Sequence, residues 1–229
     1  MSLFFDAGKI GTPNLEYVAW IDVMGTQSSM SRSISAAANF ISKLHTAAIL
    51  ATKVSLRLYP VMDGFYMACK DQDETLSFLR SVFTQTADEF NLTTKDQHRF
   101  MVRGGLAFGP IYHGSDINQN ASQTLYENSP YRDSLLMGMP MIQAYLVESQ
   151  APPFGLFVHE SARAFAPQEK TGIPHAWWKW VDSNNEQSWS TLKAKLPLYM
   201  QWCEEHSMFI GYSKERISAH KEMVSQFFA

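Results

Sequence analysis

Between Tyr17 and Phe108 the hydrophobic period changes in a fixed order, and that order limits the folds open to the chain. Tyr17 to Asp22 is a short apolar run, broken by Met24-Gly25-Thr26. Ser31 to Ala51 follows with apolar residues at helical spacing, Ile34, Ala38, Ile41, Leu44 and Ile49. Strand, glycine turn and helix are therefore predicted in succession. Val54 to Met62 alternates, Asp63-Gly64 interrupts it and Phe65 to Cys69 resumes, the pattern of two antiparallel strands joined by a tight turn. Glu74 to Leu92 returns to the helical period through Leu76, Leu79, Val82, Phe83, Ala87 and Phe90, and Arg99 to Phe108 reads as strand again. The order β-α-β-β-α-β is the split βαβ, ferredoxin-like arrangement. It predicts an α+β sandwich with an antiparallel sheet and helices on one face.

The polar stretch Ser115 to Asp133 reads as a long loop or a short mobile helix. Gly138 to Ser149 is helical, with Pro140 tolerated in its first turn. Phe154 to Val158 and Ala176 to Val181 are further strand candidates, and Ser190 to Glu205 and Lys214 to Phe228 are amphipathic helices. With 229 residues, 45% of them hydrophobic, the chain suits one domain with a core of about residues 15–150 and a C-terminal extension of about 151–229. A formal charge of −3 and the lack of a local Lys/Arg cluster argue against a polymeric nucleic acid as partner. Cys69 and Cys203 stand alone in sequence, which suggests neither a disulfide framework nor a zinc site. No apolar run approaches the ~20 residues that span a bilayer, and the first residues lack a basic and then apolar leader. A soluble, cytoplasmic protein without membrane association is expected.

Two carboxylates carry the chemical signal. Asp22 ends an apolar strand and Asp63 sits in a hairpin turn, on strands that the split βαβ order sets side by side. Acids facing each other across neighbouring strands repel unless a cation sits between them. Oxygen ligands without nearby His or Cys point to Mg²⁺ or Mn²⁺. The turn Met24-Gly25-Thr26, opening a helix, offers free backbone N–H groups to a phosphate chain beside them. Metals with a phosphate cradle imply phosphoryl or nucleotidyl transfer. Taken singly, Asp22 also reads as a helix N-cap and Asp63-Gly64 as an ordinary hairpin turn. His113, His159 and His175 have no partners at metal spacing and read as surface or turn residues, and Trp177, Trp178 and Trp180 as core or dimer packing.

A third element joins the two acids, Arg103-Gly104-Gly105-Leu106-Ala107-Phe108-Gly109-Pro110-Ile111-Tyr112-His113-Gly114. Together with Trp20-Ile21-Asp22-Val23-Met24-Gly25, Met62-Asp63-Gly64 and Gly138-Met139-Pro140-Met141-Ile142-Gln143-Ala144 it resembles, in order and spacing, the class III adenylate and guanylate cyclases. The resemblance covers residues 17–149. Ile142 and Leu146 stand where that family has its Asn and Arg, and Tyr59 stands four residues before the hairpin Asp, where purine cyclases read the base with Lys or Glu. In these features the chain looks like the bacterial pyrimidine cyclases of Pycsar antiphage systems.

The resemblance implies a homodimer with active sites at its interface. It implies that Asp22 and Asp63 hold two Mg²⁺ or Mn²⁺ ions with the Val23 carbonyl as an added ligand. Met24, Gly25 and Thr26 would bind phosphates, Tyr59 the pyrimidine, and Arg103 a phosphate, with Arg57 a second candidate for base or phosphate. The substrate would be UTP, or CTP in the alternative, and the cyclic product would be read by a separate effector protein. A nucleotide-sensing cyclase homologue without turnover, a polymerase-type palm and a plain interaction module are the competing readings.

Overall fold

A computed structural model describes residues 3–164 and 172–229. Strand β1 (Asn14–Val23) lies at the sheet centre, and residues 16–21 are buried on both faces, so the run Tyr17 to Ile21 shows no alternation. The helix expected over 31–51 is two helices, α1 (Thr26–Arg32) and α2 (Ile34–Ala51). Ser33 divides them, in extended conformation, with its hydroxyl accepting from the Ala36 amide at 3.2 Å; a Ser that caps one helix ends the other. α2 has the length and apolar composition of a membrane span, yet Phe40, Leu44 and Ala48 place its apolar face in the domain core.

Strands β2 (Arg57–Val61) and β3 (Gly64–Cys69) pair with Val61 opposite Gly64, which leaves Met62-Asp63 as a two-residue turn. Helix α3 (Gln72–Leu92) begins where Asp71 accepts from the Glu74 amide at 2.9 Å and buries Phe78, Leu79, Val82, Phe83, Ala87 and Phe90 along one stripe. Strand β4 (Val102–His113) outruns the predicted strand by five residues. The polar stretch that follows contains α4 (Gln123–Glu127) and α5 (Ser129–Arg132), and then come β5 (Leu136–Met137) and α6 (Met139–Glu148). The C-terminal part comprises β6 (Leu156–Val158), α7 (Glu160–Ala164), β7 (Trp177–Trp178), α8 (Glu186–Glu205), α9 (Ser207–Ile210) and α10 (Lys214–Phe227).

The sheet order is β2-β3-β1-β4-β6-β7, with β5 on the far end of β4. Its first four strands are antiparallel in the ferredoxin-like order, β6 runs parallel to β4, and β7 antiparallel to β6. Helices α2 and α3 cover one face; α8 packs on α3, with Tyr199 against Phe90 at 5.2 Å, and its Leu192, Leu196 and Met200 join the same core as Phe227 of α10. Trp180 is wholly buried in this layer and donates its indole N–H to the Phe154 carbonyl at 2.9 Å, so the tryptophan cluster is core packing. Helices on one face only were expected, and α6 corrects this. Its Ala144 packs with Val18, Trp20 and Ala107 on the opposite face. The cause is Gly105, where a Cβ would stand 2.0 Å from the Ala144 carbonyl oxygen, so a glycine in β4 lets the helix backbone rest on the strand.

Candidate active site

Along β1 the side chains of Glu16, Val18, Trp20 and Asp22 point to the α6 side of the sheet. In register, Asp22 faces Gly64 of β3 on one side and Arg103 of β4 on the other. Gly64 is required there, since a Cβ would come within 2.9 Å of the Asp22 Cβ and 2.4 Å of the Ile21 carbonyl. The turn itself is Met62-Asp63, not the Asp63-Gly64 pair expected from the sequence; Gly64 opens β3 and lets that strand approach β1 at Asp22. Met62, just before Asp63, takes a positive φ of 54° to make the turn.

Oδ1 of Asp22 is buried and has no hydrogen-bond partner among the described residues, while the carboxyl group as a whole meets that of Glu148. Burial first, then the charge of Glu148, pushes its carboxyl up to about 8; Arg103 opposes the rise and Asp63 adds to it. A buried acid with an orphaned oxygen beside a second acid is a place for a cation. Among the described residues no three His, Cys, Asp or Glu side chains gather at metal spacing, so two carboxylates are what the side chains offer. That set suits a hard cation that completes its shell from water, backbone oxygen and phosphate. The Val23 carbonyl accepts from the Thr26 hydroxyl at 2.7 Å and keeps its second lone pair.

The glycine turn is altered in one respect. The Met24 amide donates to the Met101 carbonyl at 2.8 Å and is not available to a phosphate, because β1 goes on pairing past Val23. Gly25, in the left-handed region, caps α1 without a side-chain hydrogen bond, and the amides of Gly25 and Thr26 have no acceptor among the described residues.

Arg103 stands beside Asp22 but is not loose. Its Nε pairs with Glu148 at the end of α6, and Nη1 lies 3.4 Å from the Ser149 carbonyl and 3.5 Å from Nε2 of His220. Tyr59 and Arg57 share a face of β2, as alternation requires. Arg57 is exposed and donates to the Ser115 hydroxyl at 2.9 Å. Tyr59 is buried, its hydroxyl 2.5 Å from Nδ1 of His113, whose Nε2 is 3.0 Å from Glu16. His113 is therefore a core residue, contrary to the surface or turn position expected, because β4 runs on to residue 113 and carries it under the α6 side of the sheet. His159 does sit at a turn, bonded to Ser161, and His175 is exposed. Ile142 and Leu146, 46% and 61% exposed, face outward on α6.

Glu16, Glu148, Tyr212 and His220 were not singled out from the sequence, and His113 was placed wrongly. Glu148 carried one signal, since an acid in the last turn of a helix opposes the helix dipole unless a cation holds it. The others carried none, as their partners lie far along the chain.

No family model and no curated protein matches the sequence. Solved structures do match. The monomeric guanylyl cyclase domain of the RhoGC fusion protein from the aquatic fungus Blastocladiella emersonii superposes with a TM-score of 0.50 at 15% identity, over 66% of this chain and 84% of that one. A dimeric form of the same domain gives 0.50 at 15% identity, over 68% and 84%. The fold is that of a class III nucleotidyl cyclase catalytic domain.

Proposed function

We propose that the chain is a metal-dependent nucleotide cyclase converting a pyrimidine nucleoside triphosphate, UTP with CTP as the alternative, into its 3′,5′-cyclic monophosphate and pyrophosphate. The carrying observation is the buried carboxylate oxygen of Asp22, without a hydrogen-bond partner among the described residues, on the strand next to the hairpin that carries Asp63, in a cyclase-type fold. Asp22 and Asp63, with the Val23 carbonyl, would hold two Mg²⁺ or Mn²⁺ ions. Such ions, when bound, lower the pKa of the ribose 3′-hydroxyl and neutralise triphosphate charge. In the reaction the 3′-oxygen bonds to the α-phosphorus as the bond from that phosphorus to pyrophosphate breaks, and the hydroxyl proton passes to solvent.

The protein's own part is orientation and charge. Gly25 and Thr26 present uncommitted amides and Arg103 a guanidinium to the phosphates. Arg57 would meet the base directly, over a floor made by Tyr59 and fixed by His113. A donor-only guanidinium suits the O4 acceptor of uracil and not the N4 amine of cytosine, which favours UTP. The exposed apolar face of α6 supports a homodimer that closes the site. Signalling to a separate effector protein in antiphage defence is the setting the sequence resemblance suggests.

One observation favours a second reading, a nucleotide-sensing homologue without turnover: Ile142 and Leu146 place apolar groups where the resembled family has Asn and Arg. Incubation with each of the four ribonucleoside triphosphates and Mn²⁺, with Asp63→Ala as control and mass-resolved products, decides between them. A cyclic pyrimidine monophosphate absent from the mutant supports the cyclase; a cyclic purine removes the base assignment; no product from any triphosphate favours the sensor.

A further inference from the structure

The C-terminal segment from α9 to α10 touches α1 on one side and Arg103 on the other. On one side the Gly211 carbonyl accepts from the Ser28 hydroxyl at 2.9 Å, and Arg32 lies over the Phe209 ring at 5.3 Å; Ser28 and Arg32 both belong to α1, the helix opened by Gly25. On the other side His220 of α10 reaches Arg103, the residue opposite Asp22 in the β1–β4 register.

Hydrogen-bond polarity fixes what His220 does. Arg103 can only donate, so Nε2 of His220 must accept and the ring proton sits on Nδ1, where it faces the Tyr212 hydroxyl. Burial, together with the charges of Arg103 and Arg216, holds the imidazole down to about 4 and so neutral. Glu148 grips Nε of Arg103 and His220 faces Nη1, while Nη2 has no partner among the described residues. A guanidinium gripped on two nitrogens loses its rotamer freedom and keeps one donor edge open, a pre-organised anion contact.

We propose that His220 and Tyr212 are positioning residues of the acid site, through which the C-terminal turn holds Arg103 ready for the polyphosphate of a nucleoside triphosphate. This assigns a role to part of the extension beyond residue 150, and it rests on the cyclase reading for the identity of the ligand. Arg103 supplies the positive charge that Ile142 and Leu146 do not, and Tyr212 keeps the histidine in the tautomer that accepts from it.

The test uses the full chain and the variants His220→Leu, His220→Gln and Tyr212→Phe. It measures steady-state kinetics, calorimetric affinity for 3′-deoxy-UTP, which cannot cyclise, and melting temperature. His220→Leu is expected to weaken 3′-deoxy-UTP binding and raise KM about tenfold, the scale of one charge-assisted phosphate contact. His220→Gln, whose amide oxygen can accept from Arg103, is expected to regain most of that loss. Unchanged binding in His220→Leu overturns the proposal, as does a Gln variant no better than Leu at equal melting temperature, since either would make His220 only a packing residue. Should the wild type make no cyclic product, the cyclase reading fails while the binding comparison still decides the role of His220.

Discussion

The Asp22 carboxyl is largely withdrawn from water on the α6 side of the sheet, so its charge can be separated from its shape by a single exchange. Its carboxyl sits near 8 in the folded chain against an ordinary 3.8. Over that interval the folded state keeps a proton that the unfolded chain gives up. The stability it contributes is full below 3.8 and is lost as pH rises through 8. Asp22→Asn, a neutral isostere, is therefore expected to melt about 5 °C above the wild type at pH 8 without metal, and to lose that advantage near pH 4. Mn²⁺ should raise the melting temperature of the wild type and leave the variant unmoved. Equal melting at pH 8 would remove the buried-charge account. Tyr59 offers a second test. Tyr59→Phe leaves Nδ1 of His113 buried without its partner, which costs about 1–3 kcal/mol in urea unfolding. Because the hydroxyl is already committed to His113, the variant should keep the base preference of the wild type, read from competing triphosphates.

At the scale of elements, α6 is placed by backbone contact on β4, and Gly105 is where that placement is vulnerable. Gly105→Ala puts a methyl 2.0 Å from a backbone oxygen that cannot swing away. The expected cost is about 1–3 kcal/mol from overpacking, along with loss of the Glu148–Arg103 pair as α6 lifts. A melting temperature within a degree of the wild type would mean that α6 does not rest on the strand. The elements from β1 to β4 were legible because burial writes itself into the sequence as a period, two for strands and 3.6 for helices. Ser33 was misread because a polar residue inside a Ser/Ala-rich helix looks the same as one between two helices. The face chosen by α6 was not legible, since a glycine in a strand does not say which side a neighbour approaches from. In the C-terminal third, α8 was legible as an amphipathic helix from Ser190 even with Pro197 inside it, whereas β7 is only two residues of the longer run 176–181 that reads as strand. The same limit applies to the site. Asp22 and Asp63 could be paired from topology alone, whereas Arg103 meets Glu148 and His220 across 45 and 117 residues. No local pattern encodes such distances.

For the whole molecule, the helix that packs on the acid-site face of the sheet, α6, turns large apolar groups outward. Outward on α6 stand Met139, Ile142, Tyr145 and Leu146, and the acid hairpin beside β1 presents Val61 and Met62, the last 89% exposed. Four outward apolar groups on successive turns of one short helix make a contiguous patch of the kind that marks an interface. The occupant that fits the proposed chemistry is a second copy, which would bring each α6 over the partner's hairpin and shut water out of both sites. In such a dimer Ile142 and Leu146 would build the wall that encloses the triphosphate, at positions where the resembled enzymes carry polar groups. Leu146→Glu, on a helix surface with room for any side chain, should leave the monomer fold and its melting temperature intact. In equilibrium sedimentation it should shift the chain to monomer at concentrations where the wild type is dimeric, and specific activity should fall with the dimer fraction. Mixing Leu146→Glu with an Asp63→Ala chain that still dimerises separates the two roles. Recovery of activity in the mixture would mean that one protomer's acids work behind the other's α6; a wild-type chain that sediments as an active monomer would defeat the interface and leave the acid pair standing by itself.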